Sequence, residues 1–209
     1  MPPATRLIPR FLLSATKADQ FPGESFTHGA PEIAFLGRSN VGKSSLINAL
    51  LGSKQAHVSS TPGRTRSINF FALHPPQQPN RPPQIILADL PGYGYAKISR
   101  SISAEWPTFI EPYLAEREKL VLCICLIDAN VPPQPNDAAL FDWLRAIDRP
   151  FLAVATKSDK LSNNGLAKAL ATLKREHGLE ELLPVAAKTA VGIGNLWARM
   201  HLAAKTESE

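Results

Sequence analysis

Gly37-Arg38-Ser39-Asn40-Val41-Gly42-Lys43-Ser44 is the stretch on which the reading of this 209-residue chain turns. It fits G-x-x-x-x-G-K-[ST] and sits between two patterned runs. Ile33 to Leu36 reads as a buried strand, and Ser44 to Leu51 as the helix after it. That context separates a phosphate-binding loop from a chance glycine turn. Gly37 and Gly42 let the backbone wrap closely round phosphate oxygens with successive N–H groups pointing inward. Lys43 can reach the outer phosphates and the Ser44 hydroxyl can ligate Mg²⁺, while the helix turns its positive end toward the anion.

Outward from this loop, apolar runs alternate with amphipathic ones. Ile68 to Leu73 and Gln84 to Ala88 read as two strands joined by the proline-rich connection PPQQPNRPP, which forbids regular structure. Ile102 to Glu118 has helical spacing, kinked or segmented by Pro107 and Pro112. Leu120 to Ile127 reads as a strand buried on both faces. A helix over Asp137 to Ile147, a strand over Phe151 to Ala155 and a helix over Ser162 to His177 follow. Ser162 caps that last helix and Gly178 closes it. Leu183 to Ala186 reads as a short strand and Ile193 to Ala204 as a final amphipathic helix. Such alternation predicts a three-layer α/β/α fold with a mostly parallel, six-stranded sheet. Residues 1–22 are expected to be an N-terminal extension whose FLLSA segment can add an edge strand. A single domain is expected over 23–204, with a short tail at 205–209.

Further elements complete a nucleotide-shaped pattern. Asp89-Leu90-Pro91-Gly92 follows a strand, which lets Asp89 hold Mg²⁺ through water and the Gly92 N–H meet a γ-phosphate. Between the two phosphate elements lies Thr61-Pro62-Gly63-Arg64-Thr65-Arg66-Ser67, a polar segment in which Thr61 and Thr65 are both candidates for a hydroxyl on Mg²⁺. Thr156-Lys157-Ser158-Asp159 also follows a strand. Asp159 can accept two hydrogen bonds from guanine N1–H and N2–H₂, a donor pair that adenine lacks, while the Lys157 stem lies along the base plane. Ala186-Ala187-Lys188, after Pro184-Val185, is the best candidate to present a backbone N–H to guanine O6.

Composition narrows the remaining choices. The chain carries 23 basic and 18 acidic side chains, 44% hydrophobic residues and 2 cysteines. It is long enough to bury a full core without staples. Its longest apolar run, eight residues from Leu120, falls short of the roughly 20 needed to span a bilayer. Cys123 and Cys125 alternate within that run and read as reduced, buried thiols, so a cytoplasmic address is expected. The net charge of +5 is concentrated: from Ile33 to Ala88 there are six Lys/Arg and no acid, whereas the rest of the chain nets −1. A polyphosphate site needs such surroundings, and a nucleic-acid surface suits them too.

The four elements, in this order and spacing, resemble those of the translation-factor-like P-loop GTPases. The wording GRSNVGKSSLIN, TPGRTRSINFF, DLPGYGYA and TKSDK is similar to that of the EngB (YihA/YsxC) family of bacterial ribosome-biogenesis GTP-binding proteins. The likeness runs from about Phe11 to Leu196. It implies a Ras-like GTPase domain that binds GTP or GDP with Mg²⁺ and hydrolyses GTP. It also implies action in large ribosomal subunit assembly and a link to normal cell division and septation. Carried onto this chain, Gly37 to Ser44 would bind phosphates, Gly63 to Ser67 form the first switch, and Asp89 to Gly92 the second. Thr156 to Asp159 and Val185 to Ala187 would hold guanine. Ser44 and Thr65 would be the direct Mg²⁺ ligands, with Lys43, Thr65 and Gly92 acting on the reacting phosphate. Three departures stand out. Thr156 replaces the Asn usual in GTPases at large, Ala186-Ala187 replaces Ser-Ser or Ser-Ala, and no Arg lies near Asp128-Ala129-Asn130.

The resemblance favours a switch that docks on a large-subunit precursor; the short apolar runs argue against membrane insertion, and the lack of an obvious extra apolar stripe makes a monomer the expectation. The alternative is a division-linked protein whose nucleotide state controls protein partners. An ATP-using kinase is disfavoured by Asp159. Hydrolysis is expected to be slow, because Tyr93 stands where many GTPases carry a water-orienting glutamine. Asn40 admits two readings: a ligand for K⁺ as a second cation, or a hydrogen bond to the loop backbone.

Overall fold

The computed structural model describes residues 7–53, 67–78, 80–93 and 108–205. Its centre is a seven-stranded sheet. In chain order the strands are β1 (Ile8–Ala15), β2 (Glu32–Gly37), β3 (Ile68–His74), β4 (Ile85–Asp89), β5 (Leu120–Asp128), β6 (Phe151–Thr156) and β7 (Leu182–Pro184). Across the sheet they run β1-β3-β4-β2-β5-β6-β7. From β4 to β7 every pairing is parallel, while β1–β3 and β3–β4 are antiparallel. The expected six strands are therefore seven. The extra one is β1, for which the N-terminal extension supplied a candidate. Its register with β3 slips between Phe11 and Leu13, so Leu12 is a bulge.

Every residue of β2 and β4 is buried, as their unbroken apolar runs require when helices cover both faces. Six helices are described: α1 (Glu24–Thr27), α2 (Lys43–Leu51), α3 (Ile110–Glu116), α4 (Pro135–Ala146), α5 (Asn163–Glu176) and α6 (Ile193–Lys205). Ser162 caps α5 as expected, its hydroxyl accepting from Gly165 N–H at 3.2 Å, and Gly178 takes φ +57° just beyond the helix. The helix expected from Ile102 is described only as α3. Pro112 lies in its first turn, where a missing N–H is harmless, and 102–107 fall outside the described residues. α1 has no counterpart in the sequence reading. It is a single turn closed by His28 at φ +51°, too short for periodicity to reveal.

The core forms two layers, one on each side of the sheet. One gathers Leu36, Phe70, Tyr113, Phe141 and Leu144; the other gathers Phe35, Ile47, Phe71, Ile124 and Met200. Cys123 and Cys125 are free and buried, and burial pushes the Cys123 thiol up to about 12 and Cys125 well above its ordinary value. Neither is a ready nucleophile. At the N-terminal end of β2 the fully buried Glu32 accepts from Tyr113 Oη at 2.9 Å and Arg117 Nε at 3.0 Å. That buried charge is thereby paired, and it lies at the opposite end of the strand from the phosphate loop. No described helix is long and apolar enough to cross a membrane.

Candidate functional site

The loops after β2, β4, β6 and β7 leave the same edge of the sheet, because these strands are parallel. Between β4 and β5 the strand order reverses about β2, which is where open α/β sheets leave a crevice for ligands.

The phosphate loop is shaped by backbone requirements. A Cβ on Gly37 would lie 2.8 Å from Val41 Cγ1 and 3.0 Å from Leu126 Cβ, so a side chain there would displace packed neighbours. Asn40 takes φ +65° and Gly42 φ +105°. Gly42 is the N-cap of α2 and no side chain caps the helix, which leaves this N-terminus suited to an anion. Lys43 Nζ forms an ion pair with Asp89 Oδ1. Its side chain is only 11% exposed, sunk against the end of β4. Ser44 is half-buried one residue further along α2.

Asp89 to Gly92 lies directly against this loop. Ser39 N–H donates to Tyr93 O at 2.9 Å, and Tyr93 N–H to Gly37 O at 3.3 Å. A Cβ on Gly92 would stand 3.1–3.2 Å from Ser39 Oγ, Cα and N. Leu90 and Pro91 are buried beneath. The Tyr93 side chain is also buried, and its hydroxyl donates to Asp137 Oδ1 at 3.0 Å. Burial and the Asp137 carboxylate push this phenol well above its ordinary value. It therefore stays neutral and points into the fold.

The base-site candidates are tied to the phosphate loop by two bridges. The Thr156 hydroxyl donates to Val41 O at 2.6 Å, with Ile127 O at 3.1 Å as a second acceptor within reach. Lys157, held at φ +56°, sends Nζ to Asn40 O at 2.8 Å and Asp128 Oδ2 at 2.7 Å. Asp128 and Asn130 were not singled out as site residues, and both belong to this cluster. Asn130 Nδ2 donates to Asp128 Oδ1 and to Lys157 O, each at 3.1 Å. Burial pushes the Asp128 carboxyl up, but the bonds from Lys157 and Asn130 outweigh it and hold the group below its usual range. No local pattern in the sequence marks this cluster, which forms only where the ends of β5 and β6 meet the phosphate loop.

Asp159 sits on the short turn Ser158–Lys160, exposed and without a partner among the described residues. Ser158 N–H donates to Val185 O at 3.2 Å, so the loop after β7 abuts the loop after β6. Ala186 N–H is taken by Val191 O at 2.9 Å. The half-buried Ala187, not Ala186, therefore offers the candidate N–H for a base. Ser67 immediately precedes β3. Thr61, Gly63, Arg64, Thr65 and Arg66 lie outside the described residues.

Comparison with known proteins bears on what this crevice serves. The model of a family described as 50S ribosome-binding GTPase matches residues 32–157. A probable GTP-binding protein EngB from Acidobacterium capsulatum is 59% identical over 204 residues, covering 98% of this chain and 94% of its own. Another from Koribacter versatilis is 53% identical, covering 97% of both chains. A crystal structure of a probable GTP-binding protein EngB superposes with a TM-score of 0.65 at 22% identity, over 84% of this chain and 99% of the other, and so supports the fold.

Proposed function

The chain belongs to the EngB family of GTP-binding proteins and is a GTPase, and we propose that it works as a GTP-gated switch on large ribosomal subunit precursors, with a link to cell division. One observation carries the reading: the P-loop, the Asp89–Gly92 segment and the Thr156–Asp159 turn converge on one edge of the sheet, the first two wholly within residues 32–157, which match the 50S ribosome-binding GTPase model.

In this reading Gly37 to Ser44 cradle the phosphates, with Lys43 leaving Asp89 to reach the β- and γ-phosphates. Gly92 offers its N–H to the γ-phosphate. Asp159 selects guanine, and the Thr156 and Lys157 bridges keep its turn in register with the phosphate loop. Gly63 to Ser67 form the first switch, with Thr65 completing the γ-phosphate response.

The oxygen donors of Ser44, Asp89 and Thr65 suit a hard divalent cation such as Mg²⁺, which keeps most of its shell as water and phosphate oxygen. No described group of three His, Cys, Asp or Glu forms a cage for a metal by itself. Ser44 would ligate Mg²⁺ and Asp89 would accept from its water, and the ion would neutralise phosphate charge. K⁺ beside Asn40 would add positive charge where an arginine finger is otherwise needed.

Hydrolysis by the isolated protein is slow in this reading. Tyr93 follows the D-x-x-G element but spends its hydroxyl on Asp137, inside the fold. The acid-free stretch from Ile33 to Ala88 suits rRNA phosphates. Sedimentation with isolated large subunits tests the proposal. Association should require a non-hydrolysable GTP analogue and fall with salt, at a log–log slope of roughly 0.7 to 0.9 per phosphate contact. Association indifferent to nucleotide and salt would overturn it in favour of a division-linked protein partner.

A further inference from the structure

Tyr93 is the residue after the candidate γ-phosphate donor Gly92, and it is held at three points. Its N–H donates to Gly37 O, its carbonyl accepts from Ser39 N–H, and its hydroxyl donates to Asp137 on α4. The first two bonds extend the parallel pairing of β2 and β4 by one bridge, Arg38 with Tyr93, past the end of both strands. The third fixes the ring, which is 1% exposed, to a carboxylate that is 4% exposed. A hydrogen bond between two fully buried groups has no water to replace it.

Gly92 is caught between this anchor and the phosphate loop. Its Cα approaches Ser39 so closely that even a methyl group would press on the Ser39 backbone. Any shift of Tyr93 is thus handed to Gly92, one residue away. Asp137 is placed for its part by α4: Pro135 opens the helix and Asp137 N–H is bonded to Gln134 O at 3.1 Å. Leu140, Phe141 and Leu144 bury the same helix in the core. The strut therefore runs from a rigid helix, through one phenol, to the backbone that would meet the γ-phosphate.

We propose that Tyr93 is a positioning residue for GTP against GDP: its bond to Asp137 sets the Gly92 N–H in place before the γ-phosphate arrives. The inference rests on the reading of Gly92 given above. Tyr93 touches no phosphate itself, and the ring's burial separates it from any role in orienting water. A donor held in place loses no freedom on binding, so the strut favours the ligand that carries a γ-phosphate.

The test is the ratio of affinities for a non-hydrolysable GTP analogue and for GDP, by fluorescent-nucleotide titration of the full chain. Tyr93→Phe should lower the analogue's affinity on the order of 5- to 10-fold, the worth of one buried hydrogen bond, and leave GDP within twofold. Asp137→Ala should do the same. Asp137→Asn retains an acceptor for the phenol and should keep the wild-type ratio. Equal losses for both nucleotides in Tyr93→Phe and Asp137→Ala would show a merely structural contact and overturn the inference. So would an unchanged ratio in a folded Tyr93→Phe. Should Tyr93→Phe fail to fold, the two Asp137 variants decide the matter by differing or not differing in ratio. Gly92→Ala in the same titration separates the premise. If that variant keeps the wild-type ratio, the γ-phosphate role of Gly92 falls, whatever Tyr93 does.

Discussion

Gly192→Ala should be among the most damaging single-methyl changes in the chain, and its cost can be worked from the backbone. Gly192 precedes α6 at φ +76°, a region in which a residue with a Cβ is strained by about 1–2 kcal/mol. The added Cβ would lie 2.2 Å from Pro184 O, with Val185 Cγ1 and Cα at 3.1 and 3.2 Å. That oxygen belongs to the last residue of β7, so the backbone itself must move by the best part of an ångström. Overpacking of this kind adds about 1–3 kcal/mol, giving about 2–5 kcal/mol together. The strain also reaches the candidate base site, because Val185 O accepts from Ser158 N–H, next to Asp159. Urea denaturation should show a lower midpoint at unchanged slope, and GDP binding at low denaturant should weaken. Gly194→Ala is the control. Inside α6, with nothing within 4 Å of a new Cβ, it should be neutral or stabilising by up to about 1 kcal/mol. A loss below about 1 kcal/mol for Gly192→Ala, or equal losses at both glycines, would refute this reasoning.

Lys43→Ala should abolish tight GTP binding and, because it strands the buried Asp89 carboxylate, lower the stability of the nucleotide-free protein by about 1–3 kcal/mol. Circular dichroism and thermal unfolding beside nucleotide titration check both, with Lys43→Ala/Asp89→Asn expected to regain stability but not binding. Turnover should be faster in KCl than in NaCl at equal ionic strength, and Asn40→Ala should erase the difference; equal rates in the wild type discard a K⁺ site. Asp137 gives a pH dependence. Burial pushes its carboxyl up to about 6, against the lowering effects of the Tyr93 hydroxyl and Arg38. A raised folded-state value means that the proton stabilises the fold: the contribution is full below about 4 and is lost as pH rises through about 6. Asp137→Asn should therefore match wild type in urea denaturation near pH 4 and exceed it by up to about 3 kcal/mol near pH 7.5. A difference that does not change with pH would contradict the buried-carboxyl reasoning.

Much of the fold was legible because its central strands are buried on both faces and its helices carry clear stripes. The runs at Ile33, Leu120 and Phe151 start within one residue of β2, β5 and β6, and the described helices from α4 onward start within two of expectation. The motifs could be placed because each follows a strand, and parallel strands bring their ends to one edge. Other features left no local trace. β1 is a half-exposed edge strand with a bulge, so period-two alternation is blurred. The burial of Lys43 against Asp89, and of Tyr93 against Asp137, depends on pairs 46 and 44 residues apart. The Asn130–Asp128–Lys157–Asn40 chain likewise forms only when β5, β6 and the phosphate loop meet. Thr156 shows both sides of this: its identity was read as a departure, and its bond to Val41 O appears only with the strands in place.

The assignment of Asp159 to guanine is tested most directly by calorimetric titration of wild type and Asp159→Asn with GDP, ADP and xanthosine diphosphate. The exposed carboxylate, without a partner among the described residues, is expected to accept from guanine N1–H and N2–H₂. Wild type should bind GDP far above both others. The amide can instead donate to the xanthine C2 oxygen, so the variant should lose GDP affinity and gain xanthosine diphosphate affinity, a change of on the order of a few kcal/mol in discrimination. An Asp159→Asn protein that still preferred GDP over xanthosine diphosphate as strongly as wild type would contradict the placement of the base at this turn.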